Sequence, residues 1–466
     1  MMKLKFLGAA QNVTGSRYVL EAKGRKILVD CGLYQERQFR HRNWEPFSVP
    51  AGEIDFVLLT HAHLDHCGLL PKLVKEGFKG PIYCTKATAE IARIVLADSA
   101  HIQVEDAAYK AKRHKKEGRT SPRPVEPLYT ALDVEATLPM FQASRYNQTV
   151  KLSDGIEAVF QDAGHILGAS SVRVKVSENG QTRTVLFSGD IGQWDRPIIE
   201  DPCPFEEADY VLCESTYGDR LHGPSENIKQ ELCDVITRTQ EAGGNVVIPS
   251  FAVERSQEVL YYLNELLLEG CIKSMLVFVD SPMAVKVTRI FKKHPELFDE
   301  EMVDRVEDGL SPFDLPGLNL VRTRRESQAI NQIRGSAVII AGSGMCTGGR
   351  IKYHLRSNIT RPESTLLFVG YQAVGTLGRR IIQGDKEVRI LGRTFPVKAE
   401  VKQIHGFSAH ADRDELLKWL KVLKQPKHVF ITHGEVGVSE SFAEFVTQET
   451  GWETSVPKYG EEVILE

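Results

Sequence analysis

Residues 58–68 read LLTHAHLDHCG. An apolar, β-rich run stops at Thr60, and His61, His63, Asp65 and His66 follow at once. On a strand, neighbouring side chains face opposite ways, whereas on a loop at the strand's end they can converge on one point. Imidazoles and carboxylates are ligands for zinc and similar divalent ions. The H-x-H-x-D-H spacing therefore predicts a metal site rather than a polar loop with accidental histidines.

A site for two metals needs more ligands, and other strands end in the same way. QDAGHILGA leaves His165 on a glycine-rich turn, VLFSGDIG does so with Asp190, and HVFITHGE with His433. Each alone reads by default as a structural histidine or a turn-forming aspartate. Taken with the string they complete a candidate ligand set of His61, His63, Asp65, His66, His165, Asp190 and His433.

The chain as a whole has 466 residues, 42% of them hydrophobic, enough for two or three domains with sizeable cores. A net charge of -4 and a pI near 6.4 exclude a basic nucleic-acid wrapper, so any polyanion must be met by local patches. The strongest such run is KAKRHKKEGRTSPR, residues 110–123, which reads as a solvated helix face or as an electrostatic guide for a polyanion. Eight cysteines occur singly, without a C-x-x-C pair, which argues against a zinc ribbon or a disulfide framework and for a reducing cytosol. MMKLKFLGAAQ lacks the apolar core of a signal peptide, and no apolar run approaches a membrane span, so a soluble, cytoplasmic protein is expected.

Short strands and turns fill the first part, with helical patterns between about 86 and 116. From about 209, apolar strands (YVLCES, NVVIPS, MLVFVDS, AVIIAGSG, TLLFVGYQ) alternate with helical segments, the pattern of a parallel, helix-covered sheet. Beyond about 398, strands ending in polar tips return, as in the first part.

These motifs make the chain resemble a metallo-β-lactamase-fold hydrolase: ILVDCG at Asp30, HAHLDH, AGHILG at His165 and FSGD at Asp190 match that family's four motifs in order. More specifically it resembles the β-CASP branch of RNA-processing nucleases, similar to the cleavage and polyadenylation endonuclease and to bacterial RNase J. LCESTYGDR resembles motif A at Glu214, FSAHAD motif B at His410, and FITHGE motif C at His433. The resemblance implies an α/β fold, a metallo-β-lactamase αββα sandwich interrupted by an inserted α/β β-CASP domain. The expected division is 1–212 for the first part of the lactamase domain, 213–397 for the insert and 398–466 for the C-terminal return.

It further implies a zinc-dependent ribonuclease with two zinc ions. We assign one metal to His61, His63 and His165, the other to Asp65, His66 and His433, with Asp190 bridging and Asp65 also orienting a bridging hydroxide. His410, held by Glu214, is the candidate general acid for the leaving 3′ oxygen; the bland reading is a residue at the entry of a helix beginning near Asp412. Asp30 is read as a carboxylate that orients a ligand histidine. For RNA contact the candidates are Ser343, Gly344 and Met345 in AGSGMCTGGR, Arg379 in GYQAVGTLGRR and Arg255 in PSFAVERSQE, where salt bridges or plain surface are the alternatives for the arginines.

The expected partner is single-stranded RNA, with a homodimer as an option and no membrane. Products should carry 5′-phosphate and 3′-hydroxyl ends. Because the chain lacks the extra C-terminal domain that resembles RNase J, endonuclease action is expected ahead of 5′ exonuclease action. The rival readings are a thioesterase- or lactonase-like hydrolase, a DNA nuclease, which the histidine of motif C opposes, and an inactive RNA-binding scaffold, which the intact ligand set opposes.

Overall fold

The computed structural model describes residues 2–118, 120, 125–223, 228–373 and 375–466. The distal part of the basic run, at 119 and 121–123, lies outside the described residues; its proximal part ends the helix Lys86–Glu117. Two compact units emerge: residues 1–194, 201–221 and 410–466 form the first, 195–200 and 222–409 the second.

In the first unit two sheets face each other. One takes the strands Glu462–Leu465, Met2–Gly8, Arg17–Ala22, Arg25–Val29, Phe56–Leu58, Ile82–Thr85 and Phe141–Ser144, in that spatial order. The other runs Thr454–Ser455, His428–Thr432, Tyr210–Glu214, Gln181–Phe187, Ser170–Glu178, Ile156–Asp162 and Thr149–Ser153. Alternation explains the outer members: in Met2–Gly8 residues Met2, Leu4 and Phe6 point inward while Lys3 and Lys5 are half-buried. Phe6, Phe160, Phe187, Leu212 and Phe430 meet in the core between the sheets. Apolar residues on the far face of the second sheet, among them Val211, Val429 and Ile431, pack with Leu416, Trp419 and Phe442 from the helices Arg413–Leu420 and Val436–Thr450.

Tyr210–Glu214 lies wholly within this unit, paired in parallel with Gln181–Phe187 and His428–Thr432. An expected boundary at 213 cuts it. Its five residues are all buried, so it reads like any strand of a covered parallel sheet, and its composition alone cannot say which sheet it joins.

The second unit carries an all-parallel sheet of six strands, ordered Leu318–Leu320, Leu276–Asp280, Ala337–Ala341, Asn245–Pro249, Thr365–Phe368 and Glu400–Gln403. Glu400–Gln403 closes one edge by pairing with Thr365–Phe368, and the first unit resumes at His410, twelve residues after the expected 398. Against the cysteine expectation, Cys233 and Cys271 form a disulfide. They stand 38 residues apart on neighbouring segments, a proximity that sequence spacing does not reveal. Among the described residues no helix is long and apolar enough to cross a membrane.

Candidate metal centre

The string after Phe56–Leu58 leaves the strand as irregular chain and then enters the one-turn helix Leu64–Cys67. This break lets His61 and His63 face the same point while Asp65 and His66 are presented from the turn. Three further loops bring their residues to the same place. His165 lies between Ile156–Asp162 and Ser170–Glu178, Asp190 follows Gln181–Phe187, and His433 follows His428–Thr432. Gly189, at φ 60°, must be glycine, because a Cβ there would lie 2.9 Å from Thr60 Cβ. His433 itself has φ 54°, a left-handed turn that re-aims its ring at the strand's end.

The donor atoms fall into two groups. Atoms of His61, His63, His165 and Asp190 all lie within 4.8 Å of one another, as do those of Asp65, His66 and His433. His63 Nδ1 is 3.1 Å from His61 Nε2 and 3.2 Å from His165 Nε2; Asp190 Oδ2 is 3.4 Å from the former and 3.6 Å from the latter. Asp190 Oδ1 is 3.1 Å from His66 Nε2 and 3.6 Å from His433 Nε2, and His433 Nε2 is 3.7 Å from Asp65 Oδ2. The two oxygens of one carboxylate thus address the two groups.

These residues fit metal ions. Four donors about 2.0–2.1 Å from a zinc ion in tetrahedral array stand roughly 3.3 Å apart, close to the spacings observed. Burial pushes the His61 imidazole down to about 3 and that of His63 to about 4, so both are neutral and offer lone pairs. Asp190 Oδ1 is buried and, among the described residues, accepts no hydrogen bond. Burial would raise the Asp190 carboxyl, but the surrounding histidines hold it well below the carboxylate range, so it is an anion.

Supporting contacts orient the rings. Asp30, itself at φ 57°, accepts from Thr60 N at 2.8 Å and lies 2.7 Å from His66 Nδ1, leaving Nε2 for the centre. Thr216 Oγ1 is 3.1 Å from His433 Nδ1. Sequence reading passes over Thr216 and Thr60; their one signal is position, beside the motifs at Glu214 and His61.

Glu214 is fully buried, takes the amide of Ile191 at 2.7 Å and lies 3.0 Å from His410 Nδ1. The His410 ring is 4.6 Å from that of His165. Burial works against a charge on His410, yet the Glu214 carboxylate outweighs it and raises the group to about 9. Asp412 caps the helix Arg413–Leu420 with a reciprocal bond to Glu415, so the helix entry and the Glu214–His410 pair coexist two residues apart.

The candidate RNA contacts belong to the second unit. Gly344 is buried, while Ser343, Met345 and Arg379 are half-buried. Arg255 is only 9% exposed and donates to Glu258 at 2.6 Å, and Glu258 also pairs with Arg196. Arg255 thus makes a salt bridge of the kind the alternative reading expects.

Two facing sheets flanked by helices, with a histidine and aspartate centre at their loop ends, define a metallo-β-lactamase-superfamily hydrolase. Family models agree: a metallo-β-lactamase superfamily domain matches residues 19–189, a β-CASP domain 256–381, and a Zn-dependent metallo-hydrolase RNA specificity domain 394–457. A ribonuclease of Thermus thermophilus is 38% identical over 99% of this chain and 100% of its own length. A transcription termination factor FttA of Methanocaldococcus jannaschii is 31% identical over 98% of this chain and 70% of its own, and an RNase J-like protein of the same organism is 28% identical over 99% of each. The crystal structure of an Enterococcus faecalis protein of unknown function shares the fold, with a TM-score of 0.59 over 100% of both chains at 13% identity. The chain belongs to the β-CASP family of metallo-β-lactamase-fold hydrolases.

Proposed function

We propose that the protein is a zinc-dependent ribonuclease that hydrolyses phosphodiester bonds within single-stranded RNA and leaves 5′-phosphate and 3′-hydroxyl ends. The observation that carries this reading is the Asp190 carboxylate, whose two oxygens face two separate histidine groups. Two zinc ions are the proposed occupants, held by His61, His63 and His165 and by Asp65, His66 and His433, with Asp190 shared. When bound, such ions supply Lewis acidity toward a phosphate oxygen and a hydroxide nucleophile at neutral pH.

The chain's own residues do the rest. Asp65 is an anion, which burial opposes but His433 and His66 enforce, and it can accept a proton's hydrogen bond from an attacking water. His410 is held as the cation by Glu214 and can give its proton to the departing 3′ oxygen, which yields a 3′-hydroxyl end. RNA as substrate is supported by the RNA specificity domain over 394–457 and by the relative named a ribonuclease. Ser343, Gly344, Met345 and Arg379 are the proposed RNA contacts.

The test is digestion of an internally labelled single-stranded RNA by the zinc-loaded protein, with product ends identified and Asp65→Ala beside it. Internal cuts with 5′-phosphate ends, absent in the variant, are expected. An intact RNA from protein shown to hold zinc sinks the reading in favour of another substrate of the lactamase fold, and mononucleotide products alone replace the endonuclease with a 5′ exonuclease.

A further inference from the structure

In the second unit the strands Ala337–Ala341, Asn245–Pro249 and Thr365–Phe368 lie side by side and point the same way. Open parallel sheets bind ligands outside the carboxyl ends of their strands, where the strand order reverses. Here the chain leaves Asn245–Pro249, builds one side of the sheet through Leu276–Asp280, Leu318–Leu320 and Ala337–Ala341, and then crosses to Thr365–Phe368. The reversal falls at these three ends.

The loops that leave the three strands carry exposed rings and an arginine. Phe251, just after Asn245–Pro249, is 46% exposed, and Tyr371, just after Thr365–Phe368, is 51% exposed. Both are tied to Gly344 in the loop after Ala337–Ala341. A Cβ on Gly344 would lie 2.9 Å from the Phe251 ring, so the ring rests on bare backbone. Gln372, next to Tyr371, donates from Nε2 to the Gly344 carbonyl at 2.9 Å. The amide of Gly378 meets the Met345 carbonyl at 3.4 Å, which brings Arg379 to the same loop. Arg379 Nε is enclosed and finds no hydrogen-bond acceptor among the described residues.

Exposed rings beside a half-buried guanidinium match a chain of stackable bases joined by anions. We infer that this edge is a single-strand RNA site in which nucleobases stack on Phe251 and Tyr371 and Arg379 meets a backbone phosphate. The inference rests on the ribonuclease reading and adds its specificity: stacking requires bases free of pairing, and it tolerates any sequence because every base has a π face. Duplex RNA, whose bases are occupied with one another, has nothing to offer the rings.

The test is fluorescence anisotropy with the zinc-loaded full chain at low temperature, using a labelled single-stranded oligouridylate whose integrity is checked on a gel. Phe251→Leu and Tyr371→Leu are each expected to weaken binding about tenfold, equivalent to ~1.4 kcal/mol of stacking, with unchanged melting temperatures. The tie from this segment to Gly344 runs through Gln372, which Tyr371→Leu leaves in place, so that variant reports even if Phe251→Leu fails to fold. An abasic oligonucleotide with the same phosphates should bind wild type and double variant alike, and Arg379→Gln should weaken both probes. Equal affinity of wild type and both leucine variants for the oligouridylate, or equal affinity of wild type for abasic and base-bearing probes, overturns the inference. Failure of the ribonuclease reading is separate, seen as absence of cleavage in protein that still binds the probe.

Discussion

Each unit buries an aspartate against histidine, and the two are completed in opposite ways. Asp280, at 0% exposure, accepts from Ser327 Oγ at 2.5 Å and Arg350 Nη1 at 2.6 Å, and His354 Nε2 lies 2.6 Å away. Burial would raise its carboxyl, but His354, Ser327 and Arg350 together hold it below its ordinary value. Asp190 is also buried, yet among the described residues Oδ1 accepts no hydrogen bond, and His61, 3.4 Å from Oδ2, is held neutral by burial. A carboxylate supplied with a hydroxyl and a guanidinium is finished by the fold, whereas one whose Oδ2 faces the neutral His61 ring leaves room for a cation from outside. The first is scaffold and the second is the proposed working centre.

The largest effect should come from breaking that distinction at Asp190. Asp190→Ala is expected to lose zinc, measured by elemental analysis of dialysed protein, and to cut RNA hydrolysis by roughly 10⁴-fold, the scale seen when one member of a cooperating catalytic set is removed. Full zinc content in this variant would remove Asp190 from the shared position. Asp280→Ala should do the reverse: it keeps its zinc but loses about 3–5 kcal/mol of stability in urea unfolding, because Arg350 and His354 are left without their anion. This loss depends on pH with a definite sign. Folding depresses the Asp280 carboxyl below its ordinary 3.8, so its ionic contribution is complete above that value and fades as pH falls through the folded one. The gap in urea midpoint between wild type and Asp280→Ala should therefore narrow below about pH 4. A gap that widens there contradicts the assignment.

How far each centre could be read in advance depends on chain spacing. His61 to His66 are close together on one loop, so their chemistry is visible as a string. His410 and Glu214 are 196 residues apart, and only their motifs connect them before the fold does. Asp280 carries no motif, and its partners lie 47, 70 and 74 residues downstream, so its network is invisible in the sequence. Arg255 is ambiguous in the sequence, where phosphate contact and salt bridge read equally well, and only the fold shows Glu258, one turn on, bonded to it. The two-sheet core is legible from alternation and turn residues, but Tyr210–Glu214 and Glu400–Gln403 are not assignable, since sheet membership is a long-range property.

A finer cut through the same comparison separates residues that touch the proposed metals from those that only aim the ligands. Asp30 holds His66 through Nδ1 and Thr216 holds His433 through Nδ1, each leaving Nε2 for the centre. Asp30 contributes a charge as well as an acceptor, so Asp30→Asn should weaken zinc binding toward the upper end of the roughly 10–100-fold range for such supporting partners. Thr216 is a neutral hydroxyl at 3.1 Å, and Thr216→Val, which keeps its shape, should sit at the lower end, about tenfold. Thr216→Ser restores the hydroxyl and should return zinc affinity toward wild type. If valine binds zinc as tightly as threonine, the His433 ring is fixed by its backbone instead, through the bond from its amide to the Ala9 carbonyl at 2.7 Å and its left-handed φ, and the hydroxyl is incidental.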